Sequence, residues 1–86
     1  MMGQKDKLIE RLKSNPKDFT FEESETLLKY LGFIKSNKGK PSGSRVQFML
    51  PNSNFKIDLH KPHPRKELLP YQVKALLESL KGMGLI

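Results

Sequence analysis

Two spacings of apolar residues divide the chain. Leu8, Ile9 and Leu12 recur at helical intervals within residues 4–13, and Asn15-Pro16 interrupts the pattern, which predicts a short amphipathic helix. Thr20-Phe21-Glu22-Glu23 opens a second helix as a capping box: the Thr20 hydroxyl accepts from the Glu23 amide and the Glu23 carboxylate accepts from the Thr20 amide. Phe21, Leu27, Leu28 and Leu31 give that helix an apolar face, and Gly32 supplies the left-handed residue that ends it. The interval then falls to two. Phe33 to Ser36 reads as a first strand. Between Ser44 and Leu50, Val46, Phe48 and Leu50 alternate with Arg45, Gln47 and Met49; further on, Phe55, Ile57 and Leu59 alternate with Lys56, Asp58 and His60. Helical spacing returns at Val73, Leu76, Leu77, Leu80 and Met83, behind a Pro70 suited to a first turn, and stops at Gly82 or Gly84. This last stripe reads as cover for the sheet.

Pro51-Asn52-Ser53-Asn54 is a turn, so the second and third strands form a hairpin. Setting Leu50 opposite Phe55 places Phe48 against Ile57 and Val46 against Leu59 on the buried face. The same register sets Gln47 against Asp58 and Arg45 against His60 on the open face. His60-Lys61-Pro62-His63-Pro64 is too rich in proline to continue a ladder and reads as an extended loop. The expected fold class is therefore α+β, in the order α-α-β-β-β-α, with a three-stranded antiparallel sheet and helices on one face. Helix, three-stranded sheet and helix is the layout of double-stranded RNA-binding domains, which read helix shape through backbone and 2′-hydroxyl contacts. Residues 1–86 are expected to form a single domain, with 1–19 an additional N-terminal helix and 20–86 the core.

Composition narrows the partners. A chain of 86 residues supports only a thin core, which disfavours a deep small-molecule cleft. It has no cysteine, so disulfides and thiolate metal sites are excluded, and a reducing compartment fits. The charged start MMGQKDKLIERLK has no signal-peptide run and no stretch reaches transmembrane length, so a soluble, cytoplasmic protein without membrane partners is expected. The net charge is +7, and all of the excess lies in residues 35–66, which hold eight basic side chains and one acid, Asp58. A basic segment between neutral flanks points to an anionic partner. Tyr30, Tyr71 and the phenylalanines mostly fall on predicted core faces, which argues for recognition by shape and charge over base stacking.

Several strings, read in order, carry a family resemblance: Leu28-Lys29-Tyr30-Leu31-Gly32-Phe33, Ser42-Gly43-Ser44, His63-Pro64-Arg65-Lys66-Glu67-Leu68-Leu69-Pro70-Tyr71-Gln72-Val73, and Gly84-Leu85. Together they resemble the HicA family of bacterial toxin components over roughly residues 24–85. The resemblance implies a double-stranded-RNA-binding-like fold, ribonuclease action on messenger RNA, and a HicB antitoxin that holds the toxin inactive. One position departs: where the family places its catalytic histidine after Gly-Ser, this chain has Arg45. Arginine clamps phosphate in bidentate fashion but stays protonated and cannot act as a general base.

RNA cleavage without a metal needs a group to take the 2′-hydroxyl proton and donors for the charge developing on phosphate. The expected catalytic set is His60 as base, Arg45 as phosphate ligand, and His63, at the family's second histidine position, assisting or binding RNA. Lys38, Lys40, Ser42, Ser44, Arg45, Lys61, Arg65 and Lys66 are the expected RNA-binding residues. Neither a metal nor another cofactor is expected, since only Asp58 lies near the two histidines as a further ligand. The glycine-rich loop lacks the spacing of a nucleotide cradle, and no small-molecule substrate is expected. Two other readings compete: a noncatalytic RNA-binding module, favoured by the missing family histidine, and a protein-interaction module for an acidic partner.

Overall fold

The computed structural model describes residues 3–36, 45–62 and 64–86, and for Arg45 the backbone alone. Helix α1 (Gln4–Lys13) is followed by α2 (Phe21–Tyr30), strands β1 (Ile34–Lys35), β2 (Arg45–Met49) and β3 (Lys56–His60), and α3 (Pro70–Gly82). The three strands form one antiparallel sheet in the order β1-β2-β3. This is the α+β class and element order expected from the alternation of periods.

The local signals act where their chemistry places them. At α2 the Glu23 amide donates to the Thr20 hydroxyl at 3.1 Å, and the Thr20 amide donates to Glu23 Oε1 at 3.2 Å. Both otherwise orphaned donors are thus satisfied. At the other end Gly32 adopts φ +100°, and the Phe33 amide reaches back to the Leu28 carbonyl at 2.9 Å. A Cβ added at Gly32 lies 3.2 Å from Leu50 Cδ1, so an alanine meets both an unfavourable backbone and a crowded neighbour. Gly32→Ala is expected to destabilise the fold by about 1–2 kcal/mol, read as a lower urea midpoint with unchanged m-value.

The hairpin has the expected register, with Val46 opposite Leu59 and Phe48 opposite Ile57. Phe48, Ile57 and Leu59 are buried, while Lys56, Asp58 and His60 between them are exposed. One face of the sheet is therefore closed by the core and the other is open. The first strand is only two residues long, pairing Ile34 with Met49 and Lys35 with Phe48. Lys35 stands on the covered side at the sheet edge, where its ammonium lies 3.4 Å from the Glu25 carboxylate of α2.

The core gathers Leu12 from α1, Leu27 and Leu28 from α2, Phe48, Ile57 and Leu59 from the sheet, and Val73, Leu76, Leu77 and Leu80 from α3. It also includes Phe19 and Leu68, which lie in no regular element. These two are drawn inward by a short antiparallel contact between 19–21 and 66–68, in which the Leu68 amide donates to the Phe19 carbonyl and the Phe21 amide to the Lys66 carbonyl. Arg11 fastens α1 to the same corner: its Nη2 donates to the Asp18 carbonyl and to Glu23 Oε1, and its guanidinium lies 5.7 Å from the Phe19 ring centre. Arg11 Nε is 2.9 Å from Glu23 Oε2 but is not aligned as a hydrogen bond, so that approach is purely ionic.

The two tyrosines depart from expectation. Tyr30 and Tyr71 are 48% and 67% exposed, whereas Phe19, Phe21, Phe33 and Phe48 are buried. At about 100° per residue, Tyr71 projects from the side of α3 opposite the Val73, Leu76 and Leu80 stripe. Tyr30 likewise leaves the apolar side of α2, and its hydroxyl donates to Gln4 Oε1 at 2.8 Å.

Candidate nucleic-acid interface

Antiparallel strands alternate between pairs that exchange backbone hydrogen bonds and pairs that do not. The Leu50 amide donates to the Phe55 carbonyl at 3.0 Å, which fixes the parity for the whole hairpin. Phe48–Ile57 and Val46–Leu59 are then the hydrogen-bonded pairs, and Arg45–His60 is a non-hydrogen-bonded pair. In such pairs the Cα atoms approach to about 4.5 Å, closer than in the alternate pairs. Arg45 at the start of β2 and His60 at the end of β3 are thus direct neighbours on the open side, at one end of the hairpin.

His60 has an exposed side chain and a tethered backbone. Its carbonyl accepts from Gln72 Nε2 at 3.0 Å, while Gln72 Oε1 accepts from the Leu69 amide at 2.8 Å. Gln72 is only 8% exposed and uses both ends of its amide, so one side chain joins the end of β3 to the start of α3. Gln72→Met keeps the bulk and orphans both partners. A loss of about 1–3 kcal/mol is expected, read as a lower thermal midpoint.

Among the other expected RNA contacts, Lys61 is exposed with its ammonium 6.0 Å from the Phe21 ring centre, and Arg65 is exposed with Nε donating to the Glu67 carbonyl at 3.2 Å. Lys66 is exposed too, while its carbonyl holds the Phe21 amide. Lys61, Arg65 and Lys66 therefore present their cations near the start of α2, where the Lys66 carbonyl and the Lys61 ammonium both meet Phe21. Lys38, Lys40, Ser42, Ser44 and His63 lie outside the described residues, as does the Arg45 side chain. Arg45 and His60 are brought together through the pairing of the strands that carry them.

Two residues near His60 escaped the sequence reading. Gln72 sits three positions after Leu69 behind Pro70, the place from which a glutamine reaches back to a helix-opening amide, and that spacing is visible in the sequence. Tyr71 shares with His60 a shallow groove of about 190 Å³ between β3 and α3. Its position opposite the apolar stripe of α3 was the available signal. No helix among the described residues is long and apolar enough to cross a membrane.

A family model described as the HicA toxin of bacterial toxin-antitoxin systems matches residues 21–84. Neither the curated proteins nor the solved structures contain a match. The matched span starts at the first residue of α2 and reaches past the end of α3, so it takes in the whole sheet and, of the regular elements, leaves α1 outside. A match over most of the chain that includes Arg45, His60 and the Leu69–Gln72 corner establishes that this protein belongs to the HicA family of bacterial toxins, a membership that implies a cognate antitoxin.

Proposed function

We propose that this protein is a type II toxin acting as a metal-independent endoribonuclease on messenger RNA, and that a HicB-like antitoxin covers its basic face. The reading rests on one observation: within a HicA family member, the strand register sets Arg45 directly opposite His60 at the end of the open sheet face. Residues 1–86 act as one domain built on a double-stranded-RNA-binding-like layout. In the reaction, the His60 imidazole removes the 2′-hydroxyl proton, the 2′-oxygen attacks the adjacent phosphorus, and the 5′-oxygen leaves with a proton. Arg45 provides two parallel donors to the phosphate oxygens as their charge develops. His63 assists at the leaving oxygen. Lys38, Lys40, Ser42, Ser44, Lys61, Arg65 and Lys66 hold the backbone on either side, and the protein works in the cytoplasm, where messenger RNA is found.

Induction of the chain in bacteria tests the reading. Growth arrest with loss of full-length messenger RNA is expected, relieved by co-expression of a cognate HicB-like antitoxin; unimpaired growth at full expression contradicts it. A noncatalytic RNA-binding module is the second reading, favoured by Arg45 standing where the family carries its histidine. That module binds RNA with a steep salt dependence set by its phosphate contacts and leaves the RNA intact.

A further inference from the structure

The hairpin parity has a consequence at the other border of the sheet. Ile57 and Leu59 direct their backbone groups toward β2, so Lys56, Asp58 and His60 direct theirs outward from the free edge of β3. The His60 carbonyl is taken by Gln72, but among the described residues nothing bonds the outward amides and carbonyls of Lys56 and Asp58. The groove beside them is open, bordered across from the strand by Tyr71 and by the small Ala75 and Ser79 of α3. An unpaired edge invites another strand unless its charges repel one.

We propose that a second copy of this chain pairs with that edge, β3 against β3 in antiparallel register, to form a continuous six-stranded sheet. The occupant follows from the charge pattern. Although the chain carries +7 overall, the strand itself balances Lys56 against Asp58, so the edge offers an acidic strand no net attraction. It is instead complementary to itself. A two-fold axis at Ile57 sets each Lys56 opposite Asp58 of the other copy, twice per interface. Shifting the axis by one residue either way sets Lys56 against Lys56 or Asp58 against Asp58, which the like charges oppose. The chosen register also leaves the His60 carbonyl with Gln72. It joins the two open faces and places the two His60 backbones about 20 Å apart along the sheet, at some 3.4 Å per residue.

Sedimentation equilibrium of the full chain, from micromolar to near-millimolar concentration, tests this. The mean mass is expected to rise from 9.9 kDa toward twice that value, with the weak affinity of a small interface. Lys56→Glu and Asp58→Lys, each placing like charges opposite twice, are expected to weaken the dimer about tenfold or more, and the double variant to restore it. Thermal midpoints near the parent's for all three variants show that the fold is intact, both positions being exposed. A monomer at every concentration, a dimer indifferent to the single substitutions, or a double variant that fails to restore pairing overturns the proposal.

Discussion

Phe48→Ala is expected to cost about 3–5 kcal/mol, the largest effect on stability among the substitutions considered. Phe48 is fully buried on the middle strand, opposite Ile57 on β3 and Lys35 on β1. Removing its ring leaves a void that neighbours from both layers cannot close. Domains as a whole are stable by only about 5–15 kcal/mol, so the variant loses a large share of that margin. At roughly 4–8 °C per kcal/mol for a domain of this size, its thermal midpoint falls by more than about 10 °C. Met49→Ala, one residue along and half-exposed on the open face, is expected to cost less than about 1 kcal/mol. A slip of one residue would exchange the two positions. Equal losses at Phe48 and Met49 would therefore refute the register, and with it the pairing of Arg45 with His60.

His60→Ala is expected to lower the rate of RNA cleavage about 10²–10⁴-fold, the usual contribution of a positioned acid or base. Its side chain is exposed and Gln72 holds only its carbonyl, so the thermal midpoint stays near the parent's. Arg45→Lys separates charge from geometry at the second member of the pair. A lysine retains the positive charge but loses the planar fork, so RNA binding is expected to persist while cleavage falls. Were Arg45 only a general phosphate anchor, Arg45→Lys would leave both nearly unchanged. These variants distinguish the enzyme from the binding module because stability, binding and cleavage are measured on the same proteins.

Features that depend on neighbours in sequence were legible before any coordinates. The Thr20–Glu23 box, the left-handed Gly32 and the turn after Leu50 each involve a few consecutive residues, and each forms as expected. The hairpin register followed because the four-residue turn sets Leu50 opposite Phe55, and that pairing puts Val46, Phe48, Ile57 and Leu59 on a common face. That also made the Arg45–His60 pair readable, although the two residues stand well apart in the chain. What escaped depends on distant contacts. Phe19 and Leu68 belong to no periodic run and enter the core because residues 19–21 and 66–68 pair with each other. The Ile34–Met49 pairing could not be read because a strand of two residues shows no alternation. Tyr30 and Tyr71 are expected mostly on core faces, yet their angular positions on α2 and α3 point them outward. Gln72 resembled an ordinary early helix residue; only the arrival of β3 beside α3 gives its second amide atom a partner.

The membership of α1 in this architecture follows from the same kind of contact. It lies outside the span shared with the family, yet Leu12 is fully buried and Arg11 bonds to both Asp18 and Glu23. It reinforces the corner near which Lys61, Arg65 and Lys66 present their cations, and is remote in sequence from the strands that carry Arg45 and His60.

The most direct test of the central claim is incubation of the purified chain with a messenger RNA in excess chelator, followed by analysis of the new ends. A 2′-oxygen attack assisted by His60 predicts discrete fragments ending in 2′,3′-cyclic phosphate, formed without added metal and lost in His60→Ala. Intact RNA, fragments that appear only with a divalent cation, or cleavage undiminished in His60→Ala would contradict it.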